Sequence, residues 1–158
     1  MNIIKQLKRK YRRKDNPTFI KHLRKRGIKI GNNCIFREPN TTDIDLTRPS
    51  LISIGNNVDM NRSFTIMTHD YTSTVFIRAY NDFLNSSGKV IIGNNIYFGL
   101  GCTILKGVTI GDNCIIGANS LVTQNIPENS VAIGSPAKVI CSLNEYYNKR
   151  KQAAVNEA

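Results

Sequence analysis

The hydrophobic and polar residues of this chain alternate with a period of six. In six successive blocks counted from Ile92, the first position is always apolar, the second is mostly Gly, and the fifth is mostly small or aliphatic. The first positions are Ile92, Phe98, Ile104, Ile110, Ile116 and Val122, and the fifth positions are Ile96, Cys102, Val108, Cys114, Ser120 and Ile126. A fixed period this short indicates a stacked architecture.

Each block of six predicts one short strand followed by a corner. The period is too short for a pair of helices, and the Gly and Asn residues between the apolar positions tolerate the backbone that tight corners need. Repetition of the unit builds an all-β domain, a parallel β-helix in which each coil buries the face of its neighbour. We assign residues 27–141 to this domain.

The period continues upstream and is interrupted once. The segments that begin at Ile30 and Ile54 match the pattern, and their separation is a multiple of six, which we interpret as four intact periods. The separation of Ile66 and Ile92 exceeds a multiple of six by two. We therefore predict an irregular insertion over residues 71–89, and a loop of that length inside a compact fold is uncommon unless it has a function.

Two polar residues, His69 and Asp70, stand at the base of this insertion. A lone histidine is more often structural than catalytic. At a break in the repeat it becomes a candidate general base, because imidazole titrates near neutral pH. Adjacent residues of a strand point to opposite sides, so Asp70 is expected to have a structural or substrate-binding role rather than to orient His69.

Charge separates residues 1–26 from the rest of the chain. The chain carries a net charge of +11, and residues 1–26 hold 11 of its 22 Lys and Arg side chains against one acid, Asp15. We predict a basic helical arm with two apolar stripes. The stripes are Ile3, Ile4, Leu7 and Tyr11, and then Phe19, Ile20 and Leu23. The arm could lie on an anionic membrane or pack loosely on the β-helix. Nucleic acid is not expected as a partner, because the arm lacks interleaved aromatic residues.

The other end predicts a helix. Ser142 and Glu145 have the spacing of a capping box, so we expect residues 142–158 to form a short helix and tail, with the helix starting near Leu143 and covering the open end of the stack. No apolar run is long enough for a spanning helix or a signal peptide, so we expect a cytoplasmic protein, peripheral to the inner face of the membrane if the arm binds there. The four cysteines form no C-x-x-C pair, and three of them fall on inward positions, which indicates buried thiols.

Residues 92–140 closely resemble the hexapeptide-repeat acyltransferases, within the branch of galactoside, maltose and streptogramin acetyltransferases and their relatives in surface-polysaccharide biosynthesis. The specific features are the segment "NSVAIGSPAKVI" and the "THD" that precedes the insertion. The resemblance extends over about residues 28–141. It implies a left-handed β-helix, a homotrimer with active sites between subunits, and acetyl-CoA as the acetyl donor without a metal.

The resemblance also assigns residues. It implies that His69 is catalytic and that the acceptor, a sugar or glycan, lies near Asp70, Tyr71 and, on a loose alignment, Asn40. The residues that it places along acetyl-CoA are Tyr97, Gly99, Leu100, Gly101, Ala118 and Lys138. Leu100 and Ala118 would offer backbone amides to the pantetheine arm, and Lys138 would lie near the phosphates. Gln124 and Cys141 depart from the pattern, because relatives often carry Lys and Arg there.

The sequence therefore predicts an acetyl-CoA-dependent O-acetyltransferase of a sugar hydroxyl, with His69 as base. Two alternatives stay open: N-acetylation of an amino sugar, which the same base would serve, and a β-helix that binds without catalysis. A zinc enzyme on the same fold would need three histidines. The chain has only His22 and His69.

Overall fold

The computed structural model describes residues 15–156, and its strands form the three faces of a triangular prism. Face A contains β1 (Lys29–Ile30), β4 (Ile52–Ile54), β7 (Val90–Ile92) and β10 (Thr109–Ile110). Face B contains β2 (Ile35–Phe36), β5 (Val58–Met60), β8 (Ile96–Phe98), β11 (Cys114–Ile116), β13 (Ser130–Ile133) and β14 (Lys138–Ser142). Face C contains β3 (Asp43–Ile44), β6 (Thr65–Ile66), β9 (Thr103–Ile104) and β12 (Leu121–Val122).

The strands of each face are parallel, except that β14 runs antiparallel to β13. This arrangement confirms the predicted left-handed parallel β-helix. Residues at the first and fifth positions of the repeat point inward and form one continuous core, in which Phe98, Cys102 and Ile104 are fully buried. The period of six thus identified the core correctly.

The corners explain why Asn and Gly recur. Asn95, Asn113 and Asn129 adopt the left-handed backbone conformation and stack in one column. The Asn95 Nδ2 donates to Asn113 Oδ1 at 2.8 Å, and the Asn113 Nδ2 donates to Asn129 Oδ1 at 3.0 Å. At Gly55 a Cβ atom would lie 2.4 Å from the carbonyl oxygen of Gly93 in the next coil. Side-chain size at that corner is therefore limited by the coil that packs against it.

The first coil is longer than the regular coils, and the four-period interpretation was wrong. Ile30 pairs directly with Ile54, so the whole interval between them is a single coil rather than four intact periods. The regular coil from Ile92 to its partner Ile110 is shorter by six residues. Of these six, two lie in the corner between β2 and β3, and four lie in the corner of residues 45–51, which contains a 3₁₀ turn (Pro49–Leu51).

The repeat also changes register after β12. Ile126 was expected at a fifth position, but it pairs with Ile110, a first position, because the corner at residues 123–125 is two residues short. Asn125 closes this corner by accepting the Thr109 backbone N–H at 2.8 Å. The segment after Ile126 leads into β13 and β14 on face B.

The insertion is partly helical rather than irregular. A first helix, α1 (Asn16–Lys25), precedes β1, so the helix of the insertion is α2 (Ser73–Tyr80), which ends at Asn81 in a left-handed conformation. The chain then returns to the prism, where Ser87 forms a β-bridge with His69. Most large apolar residues of the insertion are exposed: Tyr71, Val75, Ile77, Tyr80, Phe83 and Leu84.

Helix α1 (Asn16–Lys25) caps the N-terminal end of the prism. Phe19, Ile20 and Leu23 are buried in the core, and the Phe19 ring packs edge-on against Phe36 at 5.1 Å. This apolar stripe is therefore not available to a membrane, and the second half of the predicted arm is an integral cap. The stripe at Ile3, Ile4, Leu7 and Tyr11 lies outside the described residues.

Helix α3 (Leu143–Asn156) begins where the capping box predicted. Ser142 N donates to Glu145 Oε2 at 2.7 Å, and Glu145 N donates to Ser142 Oγ at 3.2 Å. The helix contacts β13 and β14, but it buries no side chain over residues 143–155, so it does not cover the end of the stack as expected. No helix within residues 15–156 has the length and apolar character to cross a membrane.

The inward cysteines are buried thiols, as predicted. Cys34, Cys102 and Cys114 are free and buried, and each Sγ donates to a carbonyl oxygen of the next coil at 3.1 Å. Burial raises the pKa of Cys102 to about 11. A thiol in that state is a poor nucleophile at neutral pH.

Candidate active site

His69 lies at the corner between faces C and A, where the chain leaves β6 for the insertion. Its Nδ1 is 2.6 Å from Oδ2 of Asp45, which comes from the long corner of the preceding coil. The side chains are largely buried, with exposed fractions of 14% for His69 and 8% for Asp45. The structure thus supplies a carboxylate that orients the His69 ring, as a candidate base requires.

Asp45 is held as a carboxylate by its neighbours. Its Oδ1 accepts the backbone N–H and the hydroxyl of Thr47 at 2.9 and 2.6 Å. Its Oδ2 accepts the backbone N–H of Thr68 at 3.2 Å and the Thr68 hydroxyl, besides the His69 ring. Burial raises the pKa of Asp45, but the hydrogen bonds from Thr47, Thr68 and His69 outweigh it and hold the pKa well below its usual range.

An ionised Asp45 fixes the tautomer of His69. A carboxylate accepts only, so the proton of a neutral ring lies on Nδ1 and the lone pair lies on Nε2. No hydrogen bond from residues 15–156 reaches Nε2. His69 lines a groove of about 430 Å³ together with residues of the first two coils. These are Asp43, Ile44, Asp45, Leu46, Thr47, Thr65, Ile66, Met67, Asp70 and Tyr71. Nε2 is therefore the nitrogen free to act on a ligand.

Sequence reasoning missed Asp45. The available signal was the spacing between Ile30 and Ile54, which is six more than one regular coil. The extra residues include Asp45-Leu46-Thr47, a segment in which an acid can bond the backbone two residues later. Because this spacing was interpreted as four intact periods, the long corner that contains Asp45 was not predicted.

Asp70 faces a different coil from His69, as the alternation of side chains predicted. Its Oδ2 is 2.5 Å from Lys106 Nζ, which also donates to the Ser86 hydroxyl. The Lys106 ammonium, followed by hydrogen bonds from Ser86 and Thr72, lowers the pKa of Asp70 well below its usual range. Lys106 therefore ties both ends of the insertion to the third coil, and Asp70 acts chiefly as an anchor although it lines the groove.

Replacing Lys106 by Met is expected to weaken acceptor binding while leaving the fold intact. The variant removes the ammonium that holds Asp70 and Ser86, so the base of the insertion loosens beside the groove. Since the pair is one-third exposed and therefore screened by solvent, we expect only a small loss of unfolding free energy. Steady-state kinetics should show KM for the acceptor raised about three- to tenfold. The matched control is Lys89→Met, an exposed lysine in the same insertion, and an equal effect there would refute the anchoring role.

The two remaining predicted acceptor residues are placed differently. Tyr71 is 75% exposed, and its ring meets the His69 ring edge-on at a centroid distance of 5.2 Å. Tyr71 therefore forms one wall of the groove. Asn40 is exposed in the corner between β2 and β3 and does not line the groove.

The residues predicted along acetyl-CoA gather at another corner, between faces B and C. Leu100 and Ala118 occupy this corner in successive coils, and Asn119 N donates to the Leu100 carbonyl oxygen at 2.8 Å. Within the described chain, the backbone N–H groups of these two residues have no hydrogen-bond partner. Lys138 is exposed and pairs with Ile133 at the start of β14. Tyr97 is half-exposed on face B, where its hydroxyl accepts from Asn61 at 3.3 Å.

Gly99 and Gly101 are needed for packing between coils. A Cβ on Gly99 would lie 2.5 Å from the backbone nitrogen of Ala118, and one on Gly101 would lie 2.3 Å from Oδ1 of Asn119. Gly101 also has a φ of +72°. Packing between coils therefore explains why both positions are glycine, and contact of Gly99 and Gly101 with a ligand stays a prediction.

The described residues contain no group of three or more His, Cys, Asp or Glu side chains arranged to hold a metal ion. The His69 site brings together one imidazole, one carboxylate that orients it, and the groove. These are the parts of an acid–base site that acts on a hydroxyl or an amine.

Comparison with known proteins finds similar sequences and similar structures. Residues 89–124 match the family described as "Hexapeptide repeat of succinyl-transferase". The chain is 37% identical to Protein CapG of Staphylococcus aureus, over 80% of this chain and 73% of that protein. It is 34% identical to the galactoside O-acetyltransferase of Lactococcus lactis, over 78% and 67% of the two chains. The structure of a maltose O-acetyltransferase from Clostridium difficile superposes with a TM-score of 0.55 at 27% identity, over 80% and 75%.

The chain belongs to the hexapeptide-repeat acetyltransferase family, in the branch whose named members include galactoside and maltose O-acetyltransferases. It is an acetyltransferase. Some relatives are considerably longer: the chain spans 64% of the Escherichia coli galactoside O-acetyltransferase and 48% of a putative acetyltransferase of Schizosaccharomyces pombe.

Proposed function

We propose that this protein transfers the acetyl group of acetyl-CoA to a hydroxyl of a sugar or glycan, with His69 as general base. The observation that carries the proposal is the bond from His69 Nδ1 to Asp45, which leaves Nε2 as the basic nitrogen in the groove. The names of the galactoside and maltose O-acetyltransferases support a sugar hydroxyl as acceptor. A glycan of the cell surface is the acceptor class that we favour.

The reaction follows from this geometry. As the acceptor oxygen attacks the thioester carbonyl, its proton moves to Nε2 of His69, and Asp45 stabilises the imidazolium that forms. The tetrahedral oxyanion needs a hydrogen-bond donor while it exists. Its collapse re-forms the carbonyl and breaks the carbon–sulfur bond. The proton returns from Nε2 to the departing thiolate, which restores the neutral ring and leaves CoA and the acetyl ester as products.

The corner of Leu100 and Ala118 fits the donor substrate. Two unpaired backbone N–H groups in successive coils can donate to the amide carbonyls of a pantetheine arm laid along the corner. Lys138 lies near the C-terminal end of the same column, where its ammonium can meet a phosphate. This chain has Gln124 and Cys141 where relatives often carry Lys and Arg, so Lys138 would provide more of the contact with the phosphates.

Within one chain, the corner of Leu100 is too far from His69 for both to contact the same acetyl group. Leu100 and His69 lie at opposite edges of face C, and a strand and its flanking residues span roughly 16 Å at 3.3 Å per residue. A second copy beside face C would place its donor corner next to this chain's His69. The exposed apolar residues of the insertion, including Val75 and Phe83, could then pack on that copy. A cyclic trimer repeats this contact three times and closes the ring. Light scattering during gel filtration should give the mass of a trimer, and the mass of a monomer would contradict the proposal.

Titration calorimetry with acetyl-CoA and CoA tests the donor half of the proposal. We expect saturable binding near one site per chain, weakened by Lys138→Ala. An acceptor screen that detects released CoA thiol then tests transfer, with His69→Ala as the inactive control. No binding at high ligand concentration, or transfer that does not need His69, would refute the assignment and favour a β-helix that binds without catalysis.

N-acetylation of an amino sugar is the second candidate. The same base removes a proton from an amine, and the groove carries carboxylates that attract one. Stability of the product to mild alkali separates the two, because an ester is cleaved and an amide is not. Contact with an anionic membrane remains a separate proposal for residues 1–14, and vesicle co-sedimentation would test it.

A further inference from the structure

Asp43 is the one acid lining the groove whose carboxylate is not bound by another group of the described chain. Asp45 is saturated by Thr47, Thr68 and His69, and Asp70 is paired with Lys106. No hydrogen bond or ion pair within residues 15–156 uses the Asp43 carboxylate. The Asp43 side chain is exposed and lines the same groove as His69.

Its position is fixed by the sheet. Asp43 lies on the outer surface of face C, in register with Thr65, since their neighbours Ile44 and Ile66 point into the core. Asp43 and Asp45 are two residues apart along an extended segment, which separates them by about 6–7 Å on the same side. A sugar whose reacting hydroxyl meets His69 would therefore place another of its ring substituents beside Asp43.

The groove around this carboxylate is acidic. Of the described residues that line it, Asp43, Asp45 and Asp70 are acids, and His69 is the sole titratable base. Two basic side chains reach groove residues from outside its lining: the Lys106 ammonium is held by Asp70, and the Arg26 guanidinium donates to the Leu46 carbonyl oxygen at 3.0 Å. Neither of these cations pairs with Asp43 in the described chain, so an anionic group placed beside Asp43 would meet an uncompensated carboxylate.

We propose that Asp43 selects the acceptor by charge: it accepts hydrogen bonds from hydroxyl or ammonium groups next to the acetylated position and rejects sugars that carry a carboxylate, sulfate or phosphate there. The inference rests on the proposed function and narrows its substrate to neutral or amine-bearing sugars. Asp43 then determines specificity, while His69 performs the proton transfer.

The test compares transfer to hexosides that differ only in charge. Methyl galactoside and methyl glucoside are assayed beside their 2-sulfate esters, with the full chain and the release of CoA thiol. The wild type should prefer each neutral sugar, and Asp43→Asn should lower the neutral-to-sulfated ratio of kcat/KM about tenfold. Asp43→Lys should lower it further. The control Glu128→Gln makes the same change in net charge at an exposed corner away from the groove and should leave the ratio unchanged.

A second measurement needs no variant. Because the discrimination is electrostatic at a partly exposed site, raising the salt from 0.01 to 0.5 M should reduce the wild-type ratio, as screening shortens from about 30 Å to a few ångströms. Equal use of sulfated sugars, or an unchanged ratio in both Asp43 variants, overturns the inference while the O-acetyltransferase assignment stands. Failure to acetylate any sugar despite acetyl-CoA binding overturns both.

Discussion

His69→Ala should lower kcat by roughly 10²–10⁴ with little change in the binding of acetyl-CoA, because the variant removes the group that takes the acceptor's proton as attack begins. The Asp45 carboxylate would then lose one partner but keep those from Thr47 and Thr68. The check is single-turnover transfer to the best acceptor from the screen, together with calorimetric titration of the donor.

The matched control for this variant is His22→Ala, since the chain contains only these two histidines and His22 lies in α1 at the N-terminal end of the prism. His22→Ala should retain the wild-type rate. A residual rate within tenfold of the wild type in His69→Ala would exclude general-base catalysis by this ring.

Asp45→Asn should produce the second largest loss, also of roughly 10²–10⁴ in kcat, without removing the base itself. The amide keeps the size of the side chain but can present an N–H to Nδ1 of His69. The lone pair would then lie on Nδ1 and the proton on Nε2, where the groove needs the base. Nitrogen NMR of the imidazole should show this exchange of tautomers, whereas a purely structural role for Asp45 would leave the tautomer unchanged.

The same substitution has a consequence for stability that depends on pH. The pKa of Asp45 is lower in the folded protein than the value of about 3.9 expected in the unfolded chain. Its stabilising contribution is therefore fully present above about pH 4 and is lost as the pH falls toward the folded pKa. At pH 7, urea unfolding should show Asp45→Asn less stable by about 1–3 kcal/mol.

The difference between wild type and Asp45→Asn should shrink below pH 4. A difference that stays constant down to pH 2 would contradict the assignment of an ionised Asp45. Asp45→Glu provides the conservative comparison: it keeps the charge but displaces it by one methylene. We expect it to restore the tautomer more fully than the rate.

The period of six identified most of the core because burial in a β-helix is a local property. Each block of six completes one strand and one corner, so the pattern at Ile92 to Val122 states directly which side chains point inward. The capping box at Ser142 is equally local, since its partner is three residues away. Predictions of this kind succeeded because few other parts of the chain can alter them.

Predictions failed where a corner changed length. The interval from Ile30 to Ile54 fits four periods of six as well as one coil with six extra residues, and the apolar pattern cannot separate the two. The same ambiguity misplaced Ile126. Helix α1 was interpreted as part of an arm because its basic face dominates the composition, while Phe19, Ile20 and Leu23 find their partners only when the prism exists.

The sequence by itself therefore determined the β-helix, the inward residues, and the position of His69 at the one large interruption of the repeat. The tertiary structure alone decided that Asp45 contacts His69 from the coil below and that Lys106 holds Asp70 from the coil above. It also decided that the corner of Leu100 and Ala118 lies across face C from His69. The physical reason is that periodicity fixes the direction of each side chain along its own coil. The side chains that meet between coils depend on the length of every corner, which contacts between coils select.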